Sequence, residues 1–278
     1  MKGIKKREAE NHKEAIIDFD KAIALDPNFQ NVYVQRAYSK SELSDHKGAL
    51  SDYNKALELD PKDTISYYNR AYAKQDLEDY NGAIEDYTMA IKLNPKYAEA
   101  HNNRGYIKND FLGEYKSAIK DFKNVIKLDP NRSSAYNNLG LAHANLNQYE
   151  NALDYYNKSI QLDSTIGNYY CNRGLAKSNL NDYSGALLDI NKAIKSDSLD
   201  HYFHYYKAAV QFEMGDNANA LLSYNKSLEL KPDYAYAYYK RASVKKELGD
   251  IAGACIDWQK AKELEVEDAV EQLKENCK

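Results

Sequence analysis

Several residue types are scarce in this chain of 278 residues, and each scarcity excludes a class of protein. The three cysteines are odd in number and lack a CxxC spacing, so neither a disulfide framework nor a zinc knuckle is expected. A net charge of -4 offers no basic surface for nucleic acid. No apolar run approaches the roughly 20 residues of a membrane helix, and residues 1–16 lack the apolar core of a signal peptide. We therefore expect no nucleic-acid or membrane partner, and a cytoplasmic location, or a periplasmic one if a signal peptide was removed.

Proline is also scarce, and its positions indicate an internal repeat. The five prolines are Pro27, Pro61, Pro95, Pro130 and Pro232, separated by 34, 34, 35 and 102 residues. Because 102 is three times 34, all five lie in one register of about 34 residues. Proline lacks a backbone N–H and disfavours helix at the residue before it, so this register predicts a helix end in every unit.

With proline assigned to repeat position 32, other positions also align. Position 20 is alanine in all eight units, position 8 is glycine or alanine, and position 24 is aromatic in all units except one, which has Ile190. Small residues let two antiparallel helices, A and B, approach closely, and the large residue fills the space beside them. The predicted units are 1–29 (truncated), 30–63, 64–97, 98–132, 133–166, 167–200, 201–234 and 235–268, followed by a capping helix at 269–278. The unit 98–132 carries one extra residue within 111–114.

Residues 98–130, AEAHNNRGYIKNDFLGEYKSAIKDFKNVIKLDP, closely resemble bacterial tetratricopeptide repeats, and the resemblance covers nearly the whole chain. It implies an all-α, right-handed superhelical solenoid of about eight helix pairs with a C-terminal cap that covers the last apolar face. It also implies a protein-interaction scaffold. We expect no catalytic activity, no cofactor, and a chain that is a monomer or self-associates weakly. A family's fold does not by itself identify a partner.

Repeat positions 7 and 23 vary together along the chain. Wherever position 7 is arginine, position 23 is aspartate: Arg36 with Asp52, Arg70 with Asp86, Arg104 with Asp121, Arg173 with Asp189, and Arg241 with Asp257. In those units position 11 is lysine. In the two units where position 7 is Leu139 or Lys207, position 23 is Tyr155 or Ser223. We predict structural ion pairs between helices A and B, the alternative being that the pattern only reflects duplication of one ancestral repeat.

The resemblance places helix A positions 2, 5, 6, 9, 12 and 13 on a concave, peptide-binding groove, where three groups of residues stand out. The first is asparagine, whose amide can bind the backbone of an extended peptide or bond locally: Asn69, Asn102, Asn103, Asn137, Asn138 and Asn172. The second is aromatic, and can form a binding hot spot or pack between helices: Tyr202, Tyr205, Phe212, Tyr236 and Tyr239. The third is acidic, and can select a partner with basic residues or form a solvated face: Glu42, Asp76, Asp110, Glu213 and Glu247.

The sequence carries no recognisable catalytic or metal site. It has no GxGxxG, P-loop, HExxH or GxSxG motif. His201 and His204 share a helix face without an acidic ligand nearby, and Cys171 is expected to face the groove without an activating histidine. We predict a scaffold that holds an extended or helical segment of another protein or peptide in its groove. The alternatives are a module that binds a small molecule or glycan, and a regulatory segment of a larger protein.

Overall fold

The computed structural model describes residues 2–277, and within that range it contains seventeen α-helices and no strand. The helices form two compact units, Met1–Pro130 and Asn131–Lys278. Each unit consists of consecutive helix pairs, in which a helix A packs against the helix B that follows it. Each helix B also packs against the helix A of the next pair in the same unit.

The first unit contains eight helices. They are α1 (Lys2–Glu8), α2 (His12–Leu25), α3 (Gln30–Glu42), α4 (His46–Leu59), α5 (Thr64–Asp76), α6 (Tyr80–Leu93), α7 (Ala98–Asp110) and α8 (Tyr115–Leu128). Helix α1 is a short helix A, and the other three A helices begin at the residues where the 34-residue register starts each unit.

The second unit contains nine helices. They are α9 (Ser133–Ala144), α10 (Tyr149–Leu162), α11 (Gly167–Asn179), α12 (Tyr183–Ser196), α13 (His201–Glu213), α14 (Asn217–Leu230), α15 (Ala235–Glu247), α16 (Ile251–Glu263) and α17 (Asp268–Asn276). Helix α17 packs against α16 and has no helix B of its own within the described residues.

Local sequence determines where the B helices begin. In five repeats an aspartate side chain accepts a hydrogen bond from a backbone N–H in the first turn of helix B, which satisfies one of the donors left free at a helix start: Asp45, Asp79, Asp182, Asp216 and Asp250. The A–B turn before the cap needs a residue with positive φ, which is supplied by Ser44, Glu78, Asn147, Asn181, Gly215 or Gly249. In the unit 98–132 the extra residue lies in this turn, where Gly113 has a φ of 66°.

The repeated small residues lie where helices A and B cross. Every alanine at position 20 is fully buried, and the residue at position 24 is at most 1% exposed in all eight units. Gly140 illustrates the constraint, because a Cβ added there would lie only 2.7 Å from Cε1 of Tyr156. The size of the position 24 side chain therefore requires a very small residue opposite it.

This packing predicts the effect of enlarging position 20. Ala83 is fully buried beside Tyr87, so Ala83→Leu should lower the free energy of unfolding by about 1–3 kcal/mol through overpacking. Ala252 is exposed on α16, and Ala252→Leu should change stability by less than about 0.5 kcal/mol. Urea unfolding of both variants tests the assignment of position 20, and equal stabilities would contradict it.

The C-terminal helix corrects one expectation from the sequence. Cys255 on α16 and Cys277 after α17 form a disulfide, with 5.8 Å between their Cα atoms, although their number and spacing gave no reason to expect one. The bond joins two helices that pack against each other, so the pairing arises from the fold and not from a local motif. Ala269 of α17 is fully buried, and Leu273 packs against the cluster that contains Trp258.

Candidate protein-interaction surface

The structure brings together the members of all five sequence-predicted ion pairs. In each, arginine Nη2 lies 2.5–2.7 Å from aspartate Oδ1, and Nε lies 2.7–3.1 Å from Oδ2. The lysine at position 11 places its Nζ 2.7–2.9 Å from the same carboxylate. The aspartates are at most 3% exposed. Each carboxylate is bound by arginine through two hydrogen bonds and by the lysine as a second cation. These contacts compensate for the desolvation cost of burying the charge.

The arginine also contacts a third helix, which the sequence did not indicate. Its Nη1 donates to repeat position 25 on the preceding helix B. The acceptors are Asp20, Asn54, Thr88, Asn157 and Asn225, with distances of 2.6–2.9 Å. Each arginine therefore connects two adjacent helix pairs within its unit. A comparison of position 25 with the next position 7 could have found this contact.

The two repeats without the arginine use other contacts at the same place. In α9–α10 the ring of His143 stacks on Tyr155, with centroids 5.2 Å apart. In α13–α14 the hydroxyl of Ser223 donates to Gln211 Oε1 at 2.7 Å. Positions 11 and 23 are thus neighbours in these repeats as well, which explains why they change together.

Asp121 has the most elaborate of these environments. Burial alone would raise its pKa, but the nearby His101, with Nδ1 3.6 Å away, and hydrogen bonds from Arg104 and Lys108 outweigh burial and lower the pKa to about 2. The carboxylate therefore remains ionised at all but strongly acidic pH. A depressed aspartate pKa means that these contacts stabilise the fold above the unfolded pKa, near 4, and that this contribution is lost as pH falls toward 2.

The asparagine side chains of the candidate groove differ in how many of their hydrogen-bonding groups are already used by neighbouring residues. Asn103 Nδ2 lies 3.1 Å from the hydroxyl of Tyr68 and 3.4 Å from that of Tyr87. Asn172 Nδ2 donates to Asn137 Oδ1 at 2.9 Å. Asn102 donates to Asn103 in the same way, and Asn138 also has a partner of its own. Asn102, Asn103 and Asn172 are therefore held by side chains of their own unit, and a peptide would use the hydrogen-bonding capacity that remains.

Several tyrosines of the second unit form a cluster around Tyr234. The Tyr205 ring lies 5.1 Å from the Tyr234 ring and 5.6 Å from that of Tyr224, while Tyr202 lies 5.2 Å from Tyr234. Burial raises the pKa of Tyr205 to about 12, which keeps its hydroxyl neutral. Tyr202 and Tyr236 are 45% and 56% exposed. Tyr205 therefore supports the cluster from within, whereas Tyr202 and Tyr236 present aromatic surface to solvent.

Tyr234 was missed in the sequence because it precedes helix A, at position 34, and not within the predicted groove positions. Position 34 is also aromatic at Phe29 and Tyr97. The Tyr97 ring lies 4.8 Å from that of Tyr68 at position 5, just as the Tyr234 ring lies 5.1 Å from that of Tyr205 at position 5. This recurrence was the available signal. Phe212 and Tyr239, which were predicted for the groove, are half-buried and pack against the second unit's core clusters.

The predicted acidic residues all reach solvent. Glu42, Asp76 and Asp110 lie at the ends of α3, α5 and α7 in the first unit, and Glu213 and Glu247 hold the same place on α13 and α15 in the second. The Tyr38 hydroxyl bonds to Glu42, and burial together with that bond raises the pKa of Tyr38. His46 Nδ1 lies 3.3 Å from Asp76 Oδ2.

Cys171 and His204, which the sequence offered as a nucleophile and a metal ligand, lie in environments that favour a structural role. Cys171 was expected to face the groove, but it is only 3% exposed and packs beside Phe203, because position 5 in this repeat points toward the next helix A. Burial raises its thiol pKa to about 12, which disfavours a reactive thiolate. His204 Nε2 lies 3.1 Å from the backbone oxygen of Ser198. None of the helices within residues 2–277 combines the length and apolar character that a bilayer-spanning segment requires.

Tandem helix pairs joined by repeated small-residue contacts define the chain as a helical-repeat protein. Family models described as tetratricopeptide or TPR repeats match residues 30–63, 52–85, 75–109, 112–147, 133–166, 167–198 and 210–249. The chain belongs to the tetratricopeptide repeat family. Comparison of the sequence with curated proteins gave no match.

Solved structures support the same fold. A tetratricopeptide repeat protein from Parabacteroides merdae is 20% identical, covers 88% of this chain and 97% of its own, and has a TM-score of 0.77. MamA is 25% identical over 58% of this chain and 94% of its own, with a TM-score of 0.56. YrrB, a TPR protein described as having an unusual peptide-binding site, is 21% identical over 68% of this chain and 97% of its own, with a TM-score of 0.52.

Proposed function

We propose that the chain is a non-enzymatic scaffold whose A helices bind an extended or helical segment of a partner protein. The tetratricopeptide repeat family typically serves protein interaction, and the similar protein YrrB has a peptide-binding site. The observation that carries the proposal here is the aromatic cluster of the second unit. Tyr205 and Tyr234 fix its base, and the exposed rings of Tyr202 and Tyr236 offer rigid apolar surface. Tyrosine buries a large area with little loss of side-chain entropy, which suits a binding hot spot.

The asparagines and carboxylates provide the polar part of this proposal. Asn138 and Asn172 on the A helices would hydrogen-bond the backbone of the bound segment with their remaining capacity, because an amide can donate and accept. Glu213 and Glu247 would favour a partner with basic residues. The chain would act as a monomer or a weakly associating one. Of the two compartments expected from the sequence, the disulfide between Cys255 and Cys277 favours the oxidising one, the periplasm.

A peptide selected from a random displayed library provides a probe for this surface. We expect the Tyr202→Ala, Tyr236→Ala double variant to bind the selected peptide about 30-fold more weakly, since loss of hot-spot side chains costs about 2 kcal/mol or more. Fluorescence anisotropy measures the affinity. Both tyrosines are exposed, so circular dichroism should give an unchanged helical signal.

The second unit offers a matched control on its B helices. Leu188 and Leu222 are 68% and 65% exposed on α12 and α14, and the Leu188→Ala, Leu222→Ala variant should bind the peptide as the parent does. If this variant loses binding and the tyrosine variant does not, the B helices carry the interface and the proposal is wrong. A selection that yields only glycan or small-molecule ligands would favour the alternative function.

A further inference from the structure

The first unit contains a cavity between consecutive A helices that the aromatic cluster of the second unit does not explain. Its volume is about 400 Å³, and it lies between α3 and α5 with the buried Tyr53 of α4 behind it. The walls that matter here are Tyr38 and Glu42 on α3 and Tyr72 and Asp76 on α5. Two aromatic faces and two carboxylates around one space form an environment suited to a cation.

One repeat earlier, the chain itself supplies such a cation. The guanidinium of Arg7 on α1 lies over the Tyr38 ring, with its Cζ 5.3 Å from the ring centroid, and Arg7, Tyr38 and Glu42 line the same neighbouring pocket. Arg7 is at repeat position 12, and Tyr38 and Glu42 are at positions 9 and 13 of the next repeat. An arginine guanidinium over a tyrosine ring, in a pocket that also contains a carboxylate, is therefore already present in this unit, and Arg7 itself pairs with Glu8 at 3.9 Å.

The next repeat has the receiving residues but not the arginine. Tyr72 and Asp76 occupy positions 9 and 13 of this repeat, as Tyr38 and Glu42 do in the repeat before it. Position 12 of the preceding helix A, however, is Ser41. The short serine side chain leaves open the space that an arginine would fill. Tyr72 is 49% exposed, and its ring is accessible from this space. Asn69 also lines the cavity, and no hydrogen bond to its side chain is found among residues 2–277.

We propose that this cavity binds an arginine side chain of the partner segment, which occupies the place at Tyr72 and Asp76 that Arg7 occupies at Tyr38. The guanidinium would stack on Tyr72 and bond to Asp76 and Glu42, and Asn69 would bond to the partner's backbone. Arginine fits better than lysine because its flat, weakly hydrated head stacks on aromatic faces and donates two parallel hydrogen bonds to a carboxylate. The inference rests on the proposed function and specifies the partner chemistry that the first unit would recognise.

The groups that face the cavity determine its charge. Glu42 and Asp76 are acidic, His46 contacts Asp76, and Arg7 lies over the Tyr38 ring in the neighbouring pocket. Two carboxylates therefore line the cavity, against the one guanidinium in the neighbouring pocket. An incoming guanidinium would balance this charge, whereas a carboxylate-bearing side chain would be repelled.

A designed variant can fill the cavity from within. Ser41→Arg places an arginine at position 12, where it can reach Tyr72 as Arg7 reaches Tyr38, so it should compete with the partner. The probe is a fluorescein-labelled twelve-residue peptide of serine and glycine with arginine at every third position. Arginine at every third position lets one guanidinium reach the cavity in several registers of an extended chain, which rises about 3.3 Å per residue. We expect Ser41→Arg and Tyr72→Ala each to weaken binding about tenfold, as measured by anisotropy.

Two controls separate the cavity from a general acidic field. Ser51→Arg adds the same charge on the exposed face of α4, and should change the affinity less than about twofold because exposed charges are screened by salt. The same peptide with citrulline in place of arginine keeps the shape but loses the charge, and should also bind about tenfold more weakly. Equal weakening by Ser41→Arg and Ser51→Arg, or equal binding of the citrulline peptide, would overturn the inference.

The outcome can be distinguished from failure of the proposed function. If Tyr202→Ala, Tyr236→Ala abolishes binding of the library-selected peptide while the arginine peptide does not bind, the scaffold function stands and the arginine site is wrong. If the arginine peptide binds and responds to Ser41→Arg while the tyrosine variant of the second unit retains all binding, the arginine site stands without the aromatic hot spot.

Discussion

Replacing Asp86 by alanine should lower the free energy of unfolding by about 3–5 kcal/mol, because it leaves a buried cationic pair without its counter-charge. Asp86 is 3% exposed and accepts from Arg70 at 2.6 and 2.8 Å, and Lys74 Nζ lies 2.8 Å away. Without the carboxylate, the two cations would face each other across the A–B crossing. Urea unfolding followed by circular dichroism measures the change.

The chain contains a natural control for this prediction. Ser223 holds the same repeat position in α14 and bonds to Gln211, so Ser223→Ala should cost only about 1 kcal/mol. A second control replaces the whole group in one repeat by the group found in another, through Arg70→Leu, Lys74→His and Asp86→Tyr. This triple variant should be more stable than Asp86→Ala, since no buried charge remains unpaired. A loss below about 1 kcal/mol for Asp86→Ala would mean that solvent compensates Arg70 fully.

Replacing Trp258 by alanine should cost a comparable amount, about 3–5 kcal/mol, but in one part of the chain. The Trp258 side chain is fully buried among Ala242, Ala254, Ala261 and Val266, and helix α17 covers the same cluster. Within the described residues, the α15–α16 repeat packs against a full helix pair on one side and only against the short α17 on the other, so a defect there should propagate less than one between two full repeats. Amide hydrogen exchange should accelerate in α15, α16 and α17 and stay unchanged in α1–α8.

Position 24 of the sixth repeat provides the comparison. Ile190 is also fully buried, but its repeat has neighbours on both sides within the second unit. Ile190→Ala should therefore accelerate exchange in α11–α14, and not mainly at the C-terminus. If Trp258→Ala instead increased exchange equally in every helix of both units, stability would be shared across the whole chain and the nearest-neighbour account would be wrong.

The sequence predicted the repeated contacts well because each one occurs many times. Arg70 and Asp86 are sixteen residues apart, and no single pair would identify a contact, but the same two residue types change together along the chain. The all-α helix-pair fold was predictable for the same reason, since proline, alanine and the aromatic at position 24 recur in one register. Repetition supplies a comparison that a chain without repeats lacks.

Features that occur once could not be predicted in this way. The disulfide joins Cys255 and Cys277, whose spacing has no counterpart in the other repeats, and only the packing of α17 on α16 brings them together. The burial of Cys171 depends on Phe203 of the following helix A. The internal bonds of Asn103 depend on rotamers of Tyr68 and Tyr87 that position alone does not determine.

The hydrogen bond from each arginine Nη1 to the preceding helix B limits how such repeats can be exchanged during evolution or design. A cassette that carries Arg70, Lys74 and Asp86 also requires an acceptor such as Asn54 on the helix before it. In this sequence Leu139, which needs no acceptor, follows a repeat with Lys123 at position 25. Duplication, deletion or grafting should therefore succeed most often when the exchanged segment begins with the preceding helix B, so that Asn54, Arg70, Lys74 and Asp86 are inherited together.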